Sequence, residues 1–253
     1  MRSARACTAL LLAPLLLGQA KPELVPEVSQ SNIEIRYSFT GAELLLFGAI
    51  LYPGGRVPKG AADIAVVVKG PPERIVVREK QQVAGIWMNV ESARFRSAAA
   101  FYAVASSRPL SRIIDERTAA IYELGLGNLQ LSPGSGQSPE VQKRFEAGLI
   151  DLRRRQELYV EDPRGVEIRE GVLYRGRIRI PARVPVGEYT AETFLIRDGR
   201  VIAGEAREIR IEKLGFERFV AMAADRWSLA YGMAAVMVSI LLGWGGSAIF
   251  RRG

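Results

Sequence analysis

Apolar and polar residues alternate along two segments of the chain. In residues 32–39 the apolar side chains occupy every second position, and in residues 174–180 apolar residues and a glycine alternate with Arg175, Arg177 and Arg179. A period of two residues is typical of a β-strand with one buried face, so the three arginines are predicted to form an exposed rail. Further strand-like runs, separated by turn residues, are 43–51, 63–69, 74–80, 83–90, 101–106, 166–169, 172–180, 187–197 and 201–211.

These short strands predict a mainly β fold with immunoglobulin-like antiparallel β-sandwich modules, a helical insertion and one C-terminal transmembrane helix. Residues 180–189 fit this class, because two prolines precede a strand that contains Tyr189. Asp198 and Gly199 predict a tight hairpin. Gly48 lies inside an apolar run and predicts a bulge or a close approach of two backbones.

The period changes to that of an α-helix between residues 110 and 157. Residues 110–124 predict one helix, and residues 138–157 predict a second helix that begins at Ser138 with Pro139 in its first turn. The inward-facing residues of the second helix are predicted to be Val141, Phe145, Leu149 and Leu152. This helical segment separates two strand-rich parts, which could form one sandwich or two.

The C-terminal stretch 227–250 contains no charged side chain. An α-helix of this length reaches ~36 Å, which is enough to cross a hydrocarbon core of roughly 30 Å. Trp227 and Trp244 would mark the two membrane interfaces. Gly243 and Ser247, four positions apart, form a candidate surface for packing against another helix. Small residues are also common in spanning helices, so mere composition is the alternative.

The N-terminus predicts a secretory signal peptide. Arg2 and Arg5 precede an apolar segment at residues 6–17, and small residues follow at 18–20. An uncleaved anchor is the alternative. A cleaved signal places the body outside the membrane and the tail inside. The predicted order is signal peptide 1–20, N-terminal strand-rich part 21–109, helical segment with flexible loop 110–157, C-terminal immunoglobulin-like part 158–213, juxtamembrane helix 214–226, transmembrane helix 227–250 and cytoplasmic tail 251–253.

The composition excludes several kinds of chemistry. The sequence has no histidine, and its single cysteine, Cys7, lies in the predicted signal peptide. Ser-His-Asp and Cys-His nucleophile systems, zinc or haem sites held by imidazole or thiolate, and a disulfide in the exported body are therefore excluded. We predict no catalytic residue, no cofactor and no metal. An enzyme with a Ser/Lys or carboxylate mechanism is the less favoured alternative.

The basic charge bears on the choice of partner. The net charge is +8, and loss of Arg2 and Arg5 with the signal peptide leaves 33 basic against 27 acidic residues, a net charge of +6. The run at residues 153–155 is all arginine, but it lies in a helical pattern and is predicted to be an exposed helix face. We expect no nucleic-acid partner. The charge favours a lipid bilayer with anionic headgroups, or an acidic partner surface.

Two further groups of residues are candidate sites. Four basic residues surround the turn at 70–72 and could bind an oxyanion: Lys69, Arg74, Arg78 and Lys80. We favour an exposed hairpin end instead, because the two prolines of this turn lack the amides that an anion would need. Trp87 and Asn89 could form a buried aromatic with its hydrogen-bond partner, and packing in the core is the favoured interpretation.

Short motifs are distributed over nearly the whole mature chain: FTGA at 39–42, LFGA at 46–49, VVVKGP at 66–71, VREK at 77–80, GIWMN at 85–89, SSRPL at 106–110 and GW at 243–244. In their combination the chain resembles a transmembrane protein family of alphaproteobacteria. The resemblance implies a signal peptide, a periplasmic domain and one C-terminal helix in the inner membrane. It also implies genomic proximity to sulfite-exporter-like permeases, and it carries no catalytic residue.

The sequence thus predicts a single-pass inner-membrane protein with a periplasmic β-sandwich domain. We expect it to act without enzymatic activity, as an accessory or interaction module for an integral membrane protein such as a permease. The alternative is a periplasmic receptor or sensor domain for an anion.

Overall fold

β-Strands dominate the fold. A computed structural model describes the chain over residues 21–36, 41–58, 60, 62–134, 138–214 and 224–250. The strands are β1 Glu23–Val28, β2 Asn32–Arg36, β3 Ala42–Leu51, β4 Asp63–Lys69, β5 Pro72–Val83, β6 Ile86–Ala99, β7 Tyr102–Ser106, β8 Ser132–Pro133, β9 Tyr159–Asp162, β10 Val166–Arg169, β11 Leu173–Ile180, β12 Gly187–Arg197 and β13 Arg200–Leu214. The helices are α1 Leu110–Ile113, α2 Glu116–Ile121, α3 Pro139–Arg155 and α4 Ser228–Phe250. The mainly β fold is therefore confirmed.

The strands form three sheets. The four-stranded sheet has the order β1-β3-β11-β10, and all its neighbours are antiparallel. The six-stranded sheet has the order β2-β13-β12-β4-β7-β9; its inner pairs are antiparallel, whereas β2 and β9 at its edges pair in parallel with β13 and β7. The third sheet is the long hairpin β5–β6 with the short strand β8. The predicted antiparallel sheets are confirmed apart from these two edge pairs.

The two larger sheets share one hydrophobic core. Strands from both sides of the helical segment lie in each sheet, because β3 pairs with β11 and β4 pairs with β12. Buried side chains of β3, β4, β7, β11 and β12 belong to a single cluster. The two strand-rich parts therefore build one core. The immunoglobulin-like type and the segment boundaries stay predictions.

The alternation predicted for residues 174–180 is present in β11. Tyr174, Ile178 and Ile180 are buried, and Arg177 and Arg179 face solvent. Arg175, which lies between Tyr174 and Gly176, pairs with Glu167 of the neighbouring strand β10. One face of β11 therefore supplies the core, as the period of two requires.

Gly48 allows the close backbone approach that the sequence predicts. A Cβ at this position would lie 2.4 Å from the carbonyl oxygen of Val25 and 2.6 Å from the hydroxyl oxygen of Tyr174. Only glycine avoids both contacts, so the side chain of Tyr174 can lie across β3 inside the core.

Residues 110–124, predicted as one helix, form two short helices instead. Ile114 between them is buried and extended, and it makes a parallel bridge with Gly199. Asp115 then begins α2, because its carboxylate accepts a hydrogen bond from the amide of Thr118 at 2.9 Å. The contact with the Asp198–Gly199 turn and the strong N-cap preference of aspartate together interrupt the helix.

Helix α3 begins as predicted and packs on the β5–β6 hairpin. The hydroxyl of Ser138 accepts a hydrogen bond from the amide of Val141 at 3.4 Å, and Pro139 occupies the first helical position. Phe145 and Leu149 are buried in a second, smaller core. The hairpin contributes Ala93, Phe95 and Ala98 to this core. Leu152 was predicted to face inward, but it lies at the margin of the contact and is 45% exposed.

The β5–β6 hairpin turns inside a segment that was predicted to be one strand, residues 83–90. β5 continues to Val83, the chain reverses at Ala84 and Gly85, and β6 begins at Ile86. Ala84 and Gly85 have φ values of 50° and 84°. Positive φ at both central residues is the geometry of a two-residue hairpin turn whose twist matches the flanking strands. Residues 83–90 are mostly apolar, and a continuous apolar run predicts a strand and not a turn.

Ion pairs hold α3 to the same face of the hairpin. Arg144 of α3 pairs with Glu79 at 3.2 Å and with Glu91, and these two acidic residues are directly opposite each other in the β5–β6 register. Arg153, in the last turn of α3, pairs with Glu73 at the base of the hairpin. The acidic residues of this face are therefore neutralised by the helix that covers it.

Three buried tyrosines tie loops to the main core. The hydroxyl of Tyr102 donates to the carbonyl of Glu123 at 2.7 Å, that of Tyr159 to Ala99 at 2.8 Å, and that of Tyr189 to Pro185 at 2.7 Å. The last contact, four residues upstream, is also typical of the tyrosine corner of immunoglobulin-like sandwiches. Burial raises the pKa of all three hydroxyls, that of Tyr159 to about 12.

We expect Leu149→Ala to loosen the hairpin. The substitution removes a fully buried side chain from the small core and should cost about 2–5 kcal/mol of local stability. Hydrogen exchange of the full chain in detergent should then show more than tenfold faster exchange in β5 and β6. Leu152→Ala on the same helix is the matched control. Equal protection in the two variants would contradict the packing described above.

The tyrosines predict a loss of stability at high pH. Because the folded protein holds these phenolic protons more tightly than the unfolded chain, their contribution is complete below the ordinary tyrosine pKa of about 10 and is lost as the pH rises towards the folded values. Tyrosinate absorbance and circular dichroism should change together above pH 10, and Tyr159→Phe should make the loss less steep. Ionisation of all tyrosines near pH 10 with the fold intact would be inconsistent with their burial.

Candidate interaction surfaces

The four basic residues predicted near the 70–72 turn are divided by the fold. Lys69 ends β4, and its ammonium group lies 3.3 Å from Glu123 and 3.1 Å from Glu192. Arg74, Arg78 and Lys80 lie at alternate positions on the exposed face of β5. Lys69 thus forms ion pairs with two carboxylates, whereas the other three residues lie on one face of β5.

The turn itself offers few amides to an anion. The amide of Gly70 donates to the carbonyl of Phe101 at 2.8 Å, and Pro71 and Pro72 have no N–H. The fold therefore gives the same reason as the sequence to prefer an exposed hairpin end over an oxyanion site: the turn has too few free amides to hold an anion.

The register of the hairpin adds two arginines to the exposed face of β5. Arg94 is directly opposite Val76, and Arg96 follows it two positions along β6. Both are exposed, whereas Ala93 and Phe95 beside them are buried in the small core that α3 covers. We call the resulting set the basic face; its members are Arg74, Arg78, Lys80, Arg94 and Arg96. Within the described parts of the chain, none of the five forms an ion pair with an acidic side chain.

The end of the hairpin carries exposed apolar side chains. We call this set the apolar tip; its members are Val83, Ile86, Trp87, Met88 and Val90. Trp87 is 66% exposed, so its predicted place in the core is wrong. The hairpin extends beyond α3, and nothing described packs on its end. Asn89 is opposite Lys80, not bonded to the indole, and Trp87 is opposite Gln82 on the same side as Lys80.

A second apolar surface lies on the outer side of the four-stranded sheet. Five residues of β1, β3 and β11 line a shallow groove of about 580 Å³, and we call this the sheet groove: Val25, Leu45, Phe47, Ala49 and Leu173. Leu173 is 55% exposed and Phe47 39%. Charged residues stand at its margin, namely Glu27, Glu167, Arg169 and Arg175. The sheet is therefore apolar on both faces, although only the inner face belongs to the core.

Sequence reasoning missed the sheet groove, although a signal was present. Residues 44–47 are four consecutive apolar residues, and 49–51 are also apolar. A continuous apolar run in a strand means that both of its faces are apolar. The strand predicted at residues 43–51 therefore has a second apolar face, which the alternation of its neighbours does not indicate.

Several buried polar groups elsewhere in the body have structural partners, whereas the buried hydroxyl of Ser106 has no hydrogen-bond partner among the described residues. Asp63 is 5% exposed, and it accepts hydrogen bonds from the hydroxyl of Ser107 and from the Nε atom of Arg108, both at 2.8 Å. The hydroxyls of Tyr102 and Tyr159 donate to backbone carbonyls. Over the described residues, no three Asp, Glu or Cys side chains are grouped so that they could hold a metal ion.

The C-terminal helix α4 is exposed along the part whose side chains are described. Leu229, Leu242 and Trp244 are among its most exposed residues, at 83%, 71% and 74%. Among the described residues, no helix has both the length and the apolarity that a membrane span requires. A Cβ at Gly243 would meet no atom within 4 Å. The side chain of Ser247 lies outside the described set, so helix packing at this pair stays a prediction.

Several other predicted segments cannot be compared with the fold. The signal peptide at 1–20, the cytoplasmic tail at 251–253 and most of the juxtamembrane segment, residues 215–223, lie outside the described residues. Residues 37–39 of the first alternating strand do so as well, whereas residues 32–36 form β2.

Comparison with known proteins assigns the chain to a family. No protein with a curated description matches the chain. Residues 23–252 match the family described as "Putative transmembrane protein (Alph_Pro_TM)", which covers both larger sheets, the hairpin and α4. The chain therefore belongs to this transmembrane protein family.

Proposed function

We propose that the protein is a single-pass inner-membrane protein whose periplasmic body binds another protein of the cell envelope. In this proposal the body acts as an accessory module without enzymatic activity, and its partner is an integral membrane protein such as a permease. The observation that carries the proposal is the sheet groove, an apolar sheet face that the described part of the chain leaves uncovered.

Membership of a transmembrane family supports the membrane part of the proposal. The uncharged stretch at 227–250 is the segment that would cross the bilayer, with Trp227 and Trp244 near the two interfaces. The basic and then apolar N-terminus supports export of the body, which places the C-terminus in the cytoplasm.

The sheet groove has the composition of a protein-binding site. Large exposed apolar patches with polar margins mark interaction surfaces in otherwise soluble bodies. Phe47 lies in the lining of the groove, and partly exposed aromatic residues are frequent energetic centres of interfaces. Glu27, Glu167, Arg169 and Arg175 at the margin carry both signs of charge, which suits orientation of a partner.

A non-enzymatic role is supported by the chemistry of the chain. The absence of histidine excludes the commonest general base. Asp63 is held by Arg108 and Ser107, so this buried carboxylate already has partners. The proposal therefore places function at exposed surfaces.

The alternative, an anion receptor, draws on the basic face, whose five members form no ion pair within the described residues. Its geometry suits a small anion poorly, because successive members of one strand face lie about 6.8 Å apart and Arg74 and Lys80 are separated by roughly 20 Å. Calorimetry with sulfite, sulfate and phosphate would support the receptor if it gave saturable heats.

We expect Phe47→Ser combined with Leu173→Ser to release the partner. Loss of an interface centre costs about 2 kcal/mol or more, so recovery of the crosslinked partner with the full chain should fall roughly thirtyfold. Both side chains are exposed, so folding should change little. Affinity purification in detergent after crosslinking in cells measures the recovery.

A matched control replaces exposed apolar residues elsewhere, Ile121→Ser with Val186→Ser. Equal recovery from the two double variants would exclude the sheet groove as the interface. Purification of the protein without any stoichiometric membrane partner would contradict the proposed function itself.

A further inference from the structure

We infer that the β5–β6 hairpin is a lipid-binding arm. Its basic face would lie against anionic phospholipid headgroups, and its apolar tip would enter the interface between headgroups and acyl chains. The occupant is the surface of an anionic bilayer. The inference rests on the proposed function only in that it places the body beside a membrane, and it uses a surface different from the sheet groove.

Charge complementarity is the first reason. Five cationic side chains occupy one face of the hairpin, and the hairpin's own acidic residues, Glu73, Glu79 and Glu91, pair with α3 on the other face. The line of charge is roughly 20 Å long on β5, so it matches a row of several headgroups better than one compact ligand. Each lysine or arginine next to an anionic membrane strengthens binding about fivefold.

The pairing of α3 with the opposite face removes the competing charge. Arg144 and Arg153 neutralise the three glutamates that would otherwise repel an anionic surface. Phe145 and Leu149 pack against the hairpin from the same side. The arm is therefore apolar and neutral where the body holds it, and cationic where it faces away from the body.

The apolar tip is the second reason. Ile86 is 69% exposed and Trp87 66%. Exposure of two large adjacent apolar side chains to water is unfavourable, so it indicates a binding surface. The indole has an apolar body and a polar N–H, which is why tryptophan concentrates at membrane interfaces. Trp87 shares a side of the hairpin with Lys80, so one orientation brings both residues to the same surface.

The dimensions of the tip fit the interface. Val83 lies three residues beyond Lys80, which corresponds to about 10 Å along the strand. Interfacial segments are buried roughly 5–10 Å into the boundary between headgroups and acyl chains. Pairing continues to the register pair Val83–Ile86, so within the tip only the two turn residues and Val90, at the bulge between Glu79 and Lys80, have no strand partner.

Quenching of Trp87 fluorescence by brominated lipid tests this inference in the full chain. A background of Trp227→Phe and Trp244→Phe leaves Trp87 as the one tryptophan of the sequence. The protein is placed in nanodiscs of phosphatidylcholine with about 30% phosphatidylglycerol, the latter brominated on its acyl chains. A second arrangement uses nanodiscs of unlabelled phosphatidylcholine and adds vesicles that contain brominated phosphatidylglycerol. We expect strong quenching and a blue-shifted emission in at least one arrangement.

A triple variant removes three charges from the basic face: Arg78→Gln, Lys80→Gln and Arg94→Gln. It should lower the ratio of membrane-docked to free hairpin about a hundredfold and abolish most of the quenching. The control variant removes the same amount of charge elsewhere: Arg117→Gln, Arg164→Gln and Arg179→Gln. These three arginines are exposed and form no ion pair within the described residues, so the control should leave the quenching intact. Circular dichroism verifies that both triple variants are folded.

Absence of quenching in both arrangements would overturn the inference, whatever proteins the chain captures. Equal loss of quenching in the two triple variants would also overturn it, because attraction would then come from net charge alone. Capture of an envelope protein through the sheet groove is unaffected by either result, so failure of the lipid-binding arm is distinguishable from failure of the proposed function.

Discussion

Hydrophobic burial determines the fold of this protein, and three of its surfaces leave apolar side chains unburied. The two larger sheets bury their inner faces against each other in one core, and α3 buries one side of the β5–β6 hairpin in a second core. Apolar side chains outside these cores are concentrated in the sheet groove, the apolar tip and helix α4. Removal of apolar surface from water favours association, so these exposed surfaces are the candidates for contact with lipid or protein.

Charge follows the same division. Acidic residues of the hairpin face α3 and pair with its arginines, whereas the basic residues face away from the body. Lys69, near them in sequence, is turned towards Glu123 and Glu192. This sorting gives the protein a cationic arm although its net charge is modest for its length. The sheet groove, with charges of both signs at its margin, has a different character and suits a different partner.

Local patterns were sufficient for some elements and insufficient for others. The alternation in β11 and the cap of α3 depend on neighbours within a few residues, and both were predicted correctly. Trp87 was misplaced because an apolar run looks the same in a core strand and in a protruding hairpin. What separates the two is whether another element covers the run, and α3, some fifty residues later, ends its contact before the tip.

The same limit applies to the basic residues. Spacing along β5 was enough to place Arg74, Arg78 and Lys80 on one face, but Arg94 joins them only through the hairpin register. The carboxylates that occupy Lys69 come from residues more than fifty positions away, so no local pattern contains them. Long-range pairing thus decides which charges remain available.

Protease treatment of intact spheroplasts, followed by carbonate extraction, tests the central claim that an exported body is tied to the bilayer by the C-terminal segment. The account predicts that external protease digests the body and leaves a short C-terminal fragment that carbonate does not release from the membrane. A body protected from external protease, or a protein that carbonate removes completely, would contradict it.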